Sequence, residues 1–475
     1  MPAREDITYF GAGPAALPTE VLQQAAQALV NFESTGLGIA EHSHRSQHAA
    51  KILKDAKINL AMFFDIPDNY DILFMQGGGS GEFSAVVYNM VGAWVTRKKN
   101  EILVLLGAKS EEDADQDELV AKLKQAVDDE LKLDYIITGS WSLKAYQEAS
   151  RLLGSKYTNV VTDSRTLNNG KFGKIADEST WNLSPDPAFV YYCDNETVDG
   201  VEFPKYPEIL APDEDGSGPI VVADMSSNIL SRRVPVGNFG LIFFGAQKNL
   251  GPAGVTVAII KENFLPPVSP QPSPELMRKL GLPIPPVILS YETIAKNNSL
   301  YNTLSIFDVY IIGQVLKRLL ITFPNHIDGQ ERIATQKAEI IYAALEEHPD
   351  TYRVVPEKAS RSRMNICFRV TVTEDIETSE AEFLRIAEQR GLTGLKGHRS
   401  VGGIRASNYN SISLEGAMRL AAFLREFANA VAVEVAGEGE GEGDGKGRVE
   451  VAVEVDVEAG VEAAVKNELE VQWWW

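Results

Sequence analysis

The stretch Leu241-Ile242-Phe243-Phe244-Gly245-Ala246-Gln247-Lys248-Asn249 places a lysine directly after a continuous apolar run. Burying an ammonium group without a partner is costly, so a lysine at the end of a buried strand requires an explanation. A lysine amine whose pKa is lowered can form a Schiff base with an aldehyde. The alternative is a lysine at the rim of a sheet whose amine reaches solvent, and this stretch taken alone favours that alternative.

Similar apolar runs alternate with amphipathic helical patterns from about residue 18 to residue 265. Several runs are apolar throughout, which is typical of strands that are covered by helices on both faces of a parallel sheet. The pattern therefore predicts an α/β fold with a mostly parallel seven-stranded sheet. The predicted strands are 71–75, 101–106, 135–138, 189–193, 220–223, 241–244 and 255–260.

The pattern changes after about residue 330, where helices predominate and a glycine-rich loop appears. We expect an N-terminal segment at 1–17, a large domain at 18–329 and a smaller α+β C-terminal domain at 330–430. In the smaller domain we predict helices at 331–347, 379–390 and 414–430 and a strand at 364–373.

Three further segments differ in composition from their surroundings. Residues 107–134 are acidic and are predicted to insert a helix into a loop. Residues 265–287 are rich in proline and are predicted to be a surface excursion. Residues 431–475 form an acidic tail whose Gly/Glu repeat cannot pack a core, so we expect this tail to be disordered.

The composition excludes several classes of function. The 475 residues are 44% hydrophobic, and the net charge of −21 argues against nucleic acid or an anionic membrane as a partner. Only two cysteines are present, Cys193 and Cys367, so we expect neither a disulfide framework nor a zinc site, and no other metal site is predicted. No apolar run reaches the roughly 18–20 residues that span a bilayer, and the N-terminus lacks a targeting pattern. The expected location is the cytoplasm.

The segment Gly77-Gly78-Gly79-Ser80-Gly81 follows a predicted strand and opens a predicted helix at about 82–91. Glycines let the backbone approach an anion, and the N–H groups of a helix N-terminus bind phosphate. A tight turn without a ligand and a dinucleotide-binding loop are the alternatives for such a sequence.

Other polar or aromatic residues also follow predicted strands. Asp224 ends one strand, where its carboxylate can hold the protonated nitrogen of a pyridine ring, although an Asx turn is the simpler interpretation. Trp141 can stack on a planar cofactor or belong to the core, and Thr197 can offer a hydroxyl. Because open α/β sheets bind ligands at the carboxyl ends of their strands, we expect these residues and Lys248 to share one site.

Two further clusters are cationic. His44 and Arg45 lie between two helical stretches, and the loop at 396–405 contains His398, Arg399 and Arg405. Arginine pairs bidentately with carboxylate or phosphate, which indicates a small anionic substrate in an otherwise acidic protein. Surface salt bridges are the alternative explanation.

Taken in order along residues 7–430, these motifs resemble the phosphoserine aminotransferase family, which consists of class V enzymes dependent on pyridoxal phosphate. The matching motifs are Gly11-Ala12-Gly13-Pro14-Ala15, Ser43-His44-Arg45, Gly77-Gly78-Gly79-Ser80-Gly81, Asn195-Glu196-Thr197, Ala223-Asp224, Gly245-Ala246-Gln247-Lys248-Asn249, Tyr301-Asn302-Thr303, Ser362-Arg363-Met364-Asn365 and residues 397–407. The resemblance implies the type I fold of aspartate aminotransferase. The inserts and the tail are not general features of that family.

The resemblance also implies a role for each site residue. Lys248 is expected to carry the cofactor and move the proton, and Asp224 to hold the pyridine nitrogen. The residues expected to bind the rest of the cofactor are Gly79, Ser80, Trp141, Thr197 and Gln247, with Asn302 and Thr303 reaching it from the second subunit of a homodimer. Arg405 is expected to bind the substrate α-carboxylate, and the distal group is expected to be bound by His44, Arg45, His398 and Arg399.

The implied reaction passes the amino group of L-glutamate through pyridoxal phosphate to 3-phosphohydroxypyruvate, which gives phosphoserine and 2-oxoglutarate in L-serine synthesis. Within the same class, an alanine–glyoxylate-type transaminase or a cysteine desulfurase is an alternative. A desulfurase needs a mobile active-site cysteine, and neither Cys193 nor Cys367 lies in a glycine-rich loop. A dinucleotide-binding module lacks its acidic partner here, and intact Lys248 and Asp224 argue against a non-catalytic scaffold.

Overall fold

The computed structural model describes residues 2–213 and 216–438, except for the side chains of 433–438. The strands are β1 (Thr8–Tyr9), β2 (Tyr70–Met75), β3 (Leu133–Ile137), β4 (Thr158–Asp163), β5 (Phe189–Cys193), β6 (Asn195–Glu196), β7 (Val201–Glu202), β8 (Val221–Asp224), β9 (Leu241–Gly245), β10 (Thr256–Lys261), β11 (Tyr352–Val354), β12 (Asn365–Val370), β13 (Leu392–Thr393) and β14 (Ile404–Ser407).

The α-helices are α1 (Thr19–Val30), α2 (Gln47–Phe64), α3 (Gly78–Leu105), α4 (Gln116–Glu130), α5 (Ser140–Leu153), α6 (Pro274–Leu280), α7 (Tyr291–Lys296), α8 (Ile306–Thr322), α9 (His326–Glu346), α10 (Ile376–Gln389) and α11 (Leu414–Glu438). Within the described ranges, none of these helices combines the length and the apolar character that crossing a membrane requires.

A seven-stranded sheet forms the centre of the fold, with the strand order β2-β10-β9-β8-β5-β3-β4. Six of its strands run in one direction, and β10 runs against its neighbours β9 and β2. The prediction of a mostly parallel seven-stranded α/β sheet is therefore confirmed. Its parallel strands bring their carboxyl ends to a single edge of the sheet.

Both faces of this sheet are buried, which explains the continuous apolar runs. On β2, Ile72 and Phe74 pack with α1, α2 and α8, whereas Leu73 and Met75 pack with α3, α4 and α5 on the opposite face. Successive side chains of a strand point to opposite faces, so every residue of such a strand has to be apolar.

Two predictions about strands need correction. The predicted strand at 101–106 is wrong, because α3 continues through this run to Leu105. Ile102 and Leu103 are buried, whereas the next two residues, Val104 and Leu105, are exposed. Two neighbouring residues on the same side are typical of a helix, because successive side chains of a strand alternate between its two faces. The seventh strand is β4, which lies at the edge of the sheet and was missed because its only fully buried residue is Val161.

The two inserted segments pack against each other. The acidic insert contains α4, which confirms the predicted helix, and its apolar side buries Leu119 and Leu123 against α3. The proline-rich segment is not a mere surface excursion, because its helix α6 buries Leu276 and Met277 and contacts α4. The buried apolar residues of both helices belong to the apolar cluster on one face of the large sheet, so both segments are part of its core.

The C-terminal part is built on a three-stranded antiparallel sheet in the order β11-β12-β14, which α9, α10 and α11 cover. The N-terminal segment joins this part, because β1 pairs with β13. Helix α11 continues past the predicted end at Ala430 to Glu438, and Val431 is buried in the same apolar cluster. The rest of the predicted tail, residues 439–475, lies outside the described residues.

Candidate active site

Most of the candidate residues follow the carboxyl ends of the parallel strands. Asp224 is the last residue of β8, and Lys248 lies three positions after β9, which pairs with β8 in parallel. The glycine segment follows β2, and Trp141 and Thr197 follow β3 and β5. The sheet thus places these segments at one edge, as the sequence pattern predicts.

Asp224 is buried and makes the Asx turn that the simpler interpretation predicts. Its Oδ1 accepts hydrogen bonds from the backbone N–H of Ser226 (2.8 Å) and from the Ser226 hydroxyl (2.6 Å). Its Oδ2 faces the start of α3, where a Cβ built on Gly79 would lie 3.8 Å away. Burial raises the pKa of Asp224 to about 6, and the Ser226 bonds and the charge of Lys248 act in the opposite direction.

The glycine segment turns the chain from β2 into α3. Gly77 and Gly78 have φ angles of +121° and +63°, which other residues rarely adopt, so this turn requires glycine. Because α3 begins at Gly78, the backbone N–H groups of Gly79 and Ser80 belong to its first turn and have no carbonyl partner within the helix. A helix terminus with free N–H groups, the kind of position that suits an anion, therefore lies beside the buried carboxylate of Asp224.

Trp141 is held in place by carboxylates from the hairpin of β6 and β7. Glu196 accepts hydrogen bonds from the backbone N–H groups of Trp141 (2.7 Å) and Ser142 (2.9 Å), and Asp199 accepts one from Ser140 (2.6 Å). Burial, together with the nearby charge of Asp199, raises the pKa of Glu196. A Cβ at Gly139 would lie 2.3 Å from Glu196, so only glycine permits this contact.

The amine of Lys248 points toward the N-terminal segment. Its Nζ donates a hydrogen bond to the carbonyl of Ala12 and lies 5.7 Å from the centroid of the Tyr409 ring. A Cβ at Gly13 would lie 2.7 Å from this Nζ. The side chain of Gln247 folds back over Gly245, close to the end of β9.

The cations of the glycine-rich loop form a group with one cation that the sequence analysis missed. Arg405 is buried on β14 and donates to the carbonyl of Thr197 (3.2 Å). Partial burial lowers the pKa of His398, and so do the three neighbouring cations Arg405, Lys144 and Arg399. Lys144 stands over the Trp141 ring, with its Nζ 4.2 Å from the ring centroid. Lys144 lies three residues after Trp141, about one helical turn along α5, and this spacing could have indicated from the sequence that the two side chains are neighbours.

The structure does not bring every predicted residue to this group. Among the described residues, no hydrogen bond or ion pair links His44 or Arg45 to it, although the Nε2 of His44 is buried without a partner. Asn302 donates to the Gln76 side chain of its own chain, next to the glycine segment, and Thr303 is exposed. A single chain is thus sufficient for the contact of Asn302 with this segment.

The surroundings of the two cysteines weigh against the desulfurase alternative. Cys193 lies within β5 and Cys367 within β12, and both are buried. Burial raises the pKa of Cys367 to about 12, so its thiolate scarcely forms at neutral pH.

Glu82 is a further buried carboxyl group that the sequence analysis did not single out. It lies on α3 just after the glycine segment, and its Oε2 accepts a hydrogen bond from the Tyr291 hydroxyl (2.8 Å). Its Oε1 is buried and has no hydrogen-bond partner in the part of the chain that the structure describes. Burial raises the pKa of Glu82 to about 7, and the charge of Asp224 adds to the shift.

Comparison with known proteins agrees with this geometry. Residues 7–112 and 115–420 match the family described as aminotransferase class-V. The phosphoserine aminotransferase of Saccharomyces cerevisiae is 41% identical over 428 residues, which cover 90% of this chain and 98% of that protein.

Solved structures are similar over the same extent. The phosphoserine aminotransferase from Bacillus circulans subsp. alkalophilus has a TM-score of 0.72 at 34% identity and covers 90% of this chain and 99% of its own. The PLP-bound phosphoserine aminotransferase from Trichomonas vaginalis has a TM-score of 0.71 at 31% identity, covering 88% of this chain and 100% of its own.

The chain belongs to the class-V aminotransferase family, and within it to the phosphoserine aminotransferases. It is an aminotransferase of the type I fold and uses pyridoxal phosphate. The observed residues fit that cofactor, because an anion-binding helix terminus, a buried carboxylate and a lysine amine occupy one edge of the sheet.

Replacing Glu82 with glutamine tests its ionisation. Because burial raises the pKa of Glu82 from 4.5 to about 7, its contribution to stability is present below pH 4.5 and is lost as the pH rises through 7. We expect the free energy of unfolding of Glu82→Gln, relative to the wild type, to increase from pH 5 to 7 by up to about 1.4 kcal/mol per pH unit. Urea unfolding of the holoenzyme at several pH values measures this difference. Glu388→Gln, on the exposed side of α10, is the control. If the free energies of unfolding of Glu82→Gln and of the wild type change with pH in the same way, the raised pKa of Glu82 is contradicted.

Proposed function

We propose that the chain transfers the amino group of L-glutamate to 3-phosphohydroxypyruvate, giving O-phospho-L-serine and 2-oxoglutarate. The observation that carries this proposal is the pair formed by Asp224 and Lys248 at the ends of β8 and β9, in a chain 41% identical to the yeast phosphoserine aminotransferase. The reaction would proceed in two halves that use the same site in turn, and it would be a step of L-serine synthesis.

Bound pyridoxal phosphate supplies an electron sink for the amino-acid substrate. In our proposal Lys248 would hold the cofactor and would move the proton at the substrate Cα. Asp224 holds the pyridine nitrogen through Oδ2, since Oδ1 is engaged by Ser226. The residues proposed to bind the remaining groups of the cofactor are Gly79, Ser80 and Gln247 at the phosphate, Trp141 at the ring face and Thr197 at the phenolic oxygen.

We assign Arg405 to the substrate α-carboxylate, because its buried guanidinium is fixed by the carbonyl of Thr197 and keeps a buried Nε without a partner among the described residues. His398 and Arg399 are assigned to the distal phosphate or γ-carboxylate. The positive charges of Arg405 and Arg399 disfavour the charged form of His398. An anion bound between these three side chains would relieve the repulsion. His44 and Arg45 are proposed to bind the same distal group.

We also propose a homodimer with shared active sites, in which Asn302 and Thr303 reach the cofactor phosphate of the second subunit, and a cytoplasmic location. The exposed position of Thr303 and the exposed ring of Tyr301 support the first of these proposals. Fractionation of cells with an antibody against the chain tests the second.

Lys248→Ala tests the proposed role of the lysine. We expect turnover of glutamate and 3-phosphohydroxypyruvate to fall by about 10³-fold or more, since both the cofactor link and the proton carrier are lost. Asp224→Asn should also reduce turnover strongly and let the cofactor leave on dialysis. Asp134→Asn changes a buried aspartate near the start of β3 and is the matched control, which should keep cofactor and turnover. Near-normal turnover in Lys248→Ala would contradict the proposal.

The two proposed anion sites should differ in their substrate profiles. Arg405→Lys loses the bidentate geometry and should reduce kcat/KM for every amino and keto acid by a similar factor. Arg399→Ala should reduce kcat/KM for phosphoserine at least about tenfold more than for alanine, because it removes one charge-assisted contact with the phosphate. Steady-state kinetics with both substrates measure the two profiles. Identical profiles would show that Arg399 does not bind the distal group.

Hybrid dimers decide which subunit Asn302 serves. A Lys248→Ala chain is mixed with an Asn302→Ala/Thr303→Ala chain under conditions that exchange subunits. If Asn302 and Thr303 act across the interface, one site of each hybrid is intact and about half of the activity per hybrid dimer should return. If Asn302 serves its own chain, as its contact with Gln76 allows, neither site is complete and no activity returns. A fully active monomer in light scattering would contradict the shared site altogether.

A further inference from the structure

The loop of residues 408–412, between β14 and α11, contacts two neighbours of Lys248, which are Asn249 and the carbonyl of Ala12. The backbone N–H of Asn410 donates to Oδ1 of Asn249, the residue directly after the lysine (2.9 Å). The hydroxyl of Tyr409 donates to the carbonyl of Ala12 (2.9 Å), which also accepts the hydrogen bond from the Lys248 amine. The position of this loop therefore sets the position of the groups around the amine.

Buried Lys337 fixes this loop from the opposite side. Its Nζ donates to the carbonyls of Tyr409 and Ile412, both at 2.8 Å, and lies 3.4 Å from that of Asn408. Lys337 is fully buried on α9, so these carbonyls replace the water that its amine has lost. The backbone of Tyr409 is thereby tied to a helix of the C-terminal part.

A chain of buried amides fixes the direction in which the Tyr409 hydroxyl points. Asn195 donates to Oδ1 of Asn365 (2.8 Å), which turns the amide nitrogen of Asn365 toward Tyr409. That nitrogen donates to the Tyr409 hydroxyl oxygen (3.3 Å). The hydroxyl therefore accepts from Asn365 and has its own proton available for Ala12.

We propose that Tyr409 is a positioning residue for Lys248, which it controls through the shared carbonyl of Ala12. This inference rests on the proposed role of Lys248. The hydroxyl holds the Ala12 carbonyl at the point where it accepts the hydrogen bond of the lysine amine. Because a carbonyl oxygen has two lone pairs, it accepts both bonds at once, and the bond from Tyr409 keeps the carbonyl in place when the amine moves away for reaction.

Tyr409→Phe removes only the hydroxyl and keeps the ring that lies near the amine. We expect kcat for the reaction of glutamate with 3-phosphohydroxypyruvate to fall about five- to tenfold, the equivalent of one lost hydrogen bond, with KM within about twofold of wild type. We also expect the holoenzyme, once stripped of cofactor, to regain its visible absorbance about five- to tenfold more slowly when pyridoxal phosphate is added back.

Tyr352→Phe is the matched control. The Tyr352 hydroxyl is equally buried and also donates to a backbone carbonyl, that of Leu424 (2.8 Å), but it lies in the apolar cluster of the C-terminal part. This variant should lose a similar amount of thermal stability while keeping the wild-type kcat and rate of cofactor rebinding.

The outcomes separate this inference from the proposed function. A wild-type chain that neither binds pyridoxal phosphate nor converts glutamate contradicts the proposed function itself. A competent wild type with Tyr409→Phe unchanged in both rates contradicts the positioning role alone. A Tyr409→Phe variant that loses much more thermal stability than Tyr352→Phe, with KM and kcat impaired together, shows a structural role and also overturns the inference.

Discussion

Carboxylates are buried at one end of an apolar sheet, and the hydrogen bonds that compensate for their burial determine the geometry of the candidate site. Asp224, Glu196 and Asp199 are each less than a tenth exposed. A buried charge without partners is very costly, so each carboxylate has to collect donors from its neighbours. Asp224 takes them from Ser226, whereas the other two take them from the first turn of α5. The same bonds that offset desolvation therefore set the position of Trp141 and the direction of Asp224 Oδ2.

The site also depends on contacts between distant parts of the chain. The amine of Lys248, which belongs to the large sheet, is held by the N-terminal segment through Ala12. Arg405 of the small sheet is held by the carbonyl of Thr197, which follows a strand of the large sheet. The amine of Lys248 and the guanidinium of Arg405 are thus both held by hydrogen bonds between the large sheet and another part of the fold.

Much of the fold was accessible from local patterns, and the errors have local causes. Six of the seven predicted central strands are present to within two residues, because both faces of the sheet are covered and the strands are apolar throughout. The run at 101–106 is equally apolar, but a short apolar run does not distinguish a strand from the end of a long helix. The edge strand β4 was missed for the opposite reason, since only one of its residues is fully buried. The packing of α6 on α4 depends on tertiary contacts that no local pattern contains.

The sequence by itself determined the α/β class and the strand ends at which the candidate residues lie, and it predicted the chemistry of those residues. Strand ends are local features, and parallel strands bring them together by topology alone. Only the tertiary structure decided which distant partner each group has, which is Gln76 for Asn302 and Ala12, shared with Tyr409, for Lys248. These partners are far apart in the chain, and burial makes an unpaired polar group costly. Their identity therefore follows from packing and not from any pattern that the sequence displays.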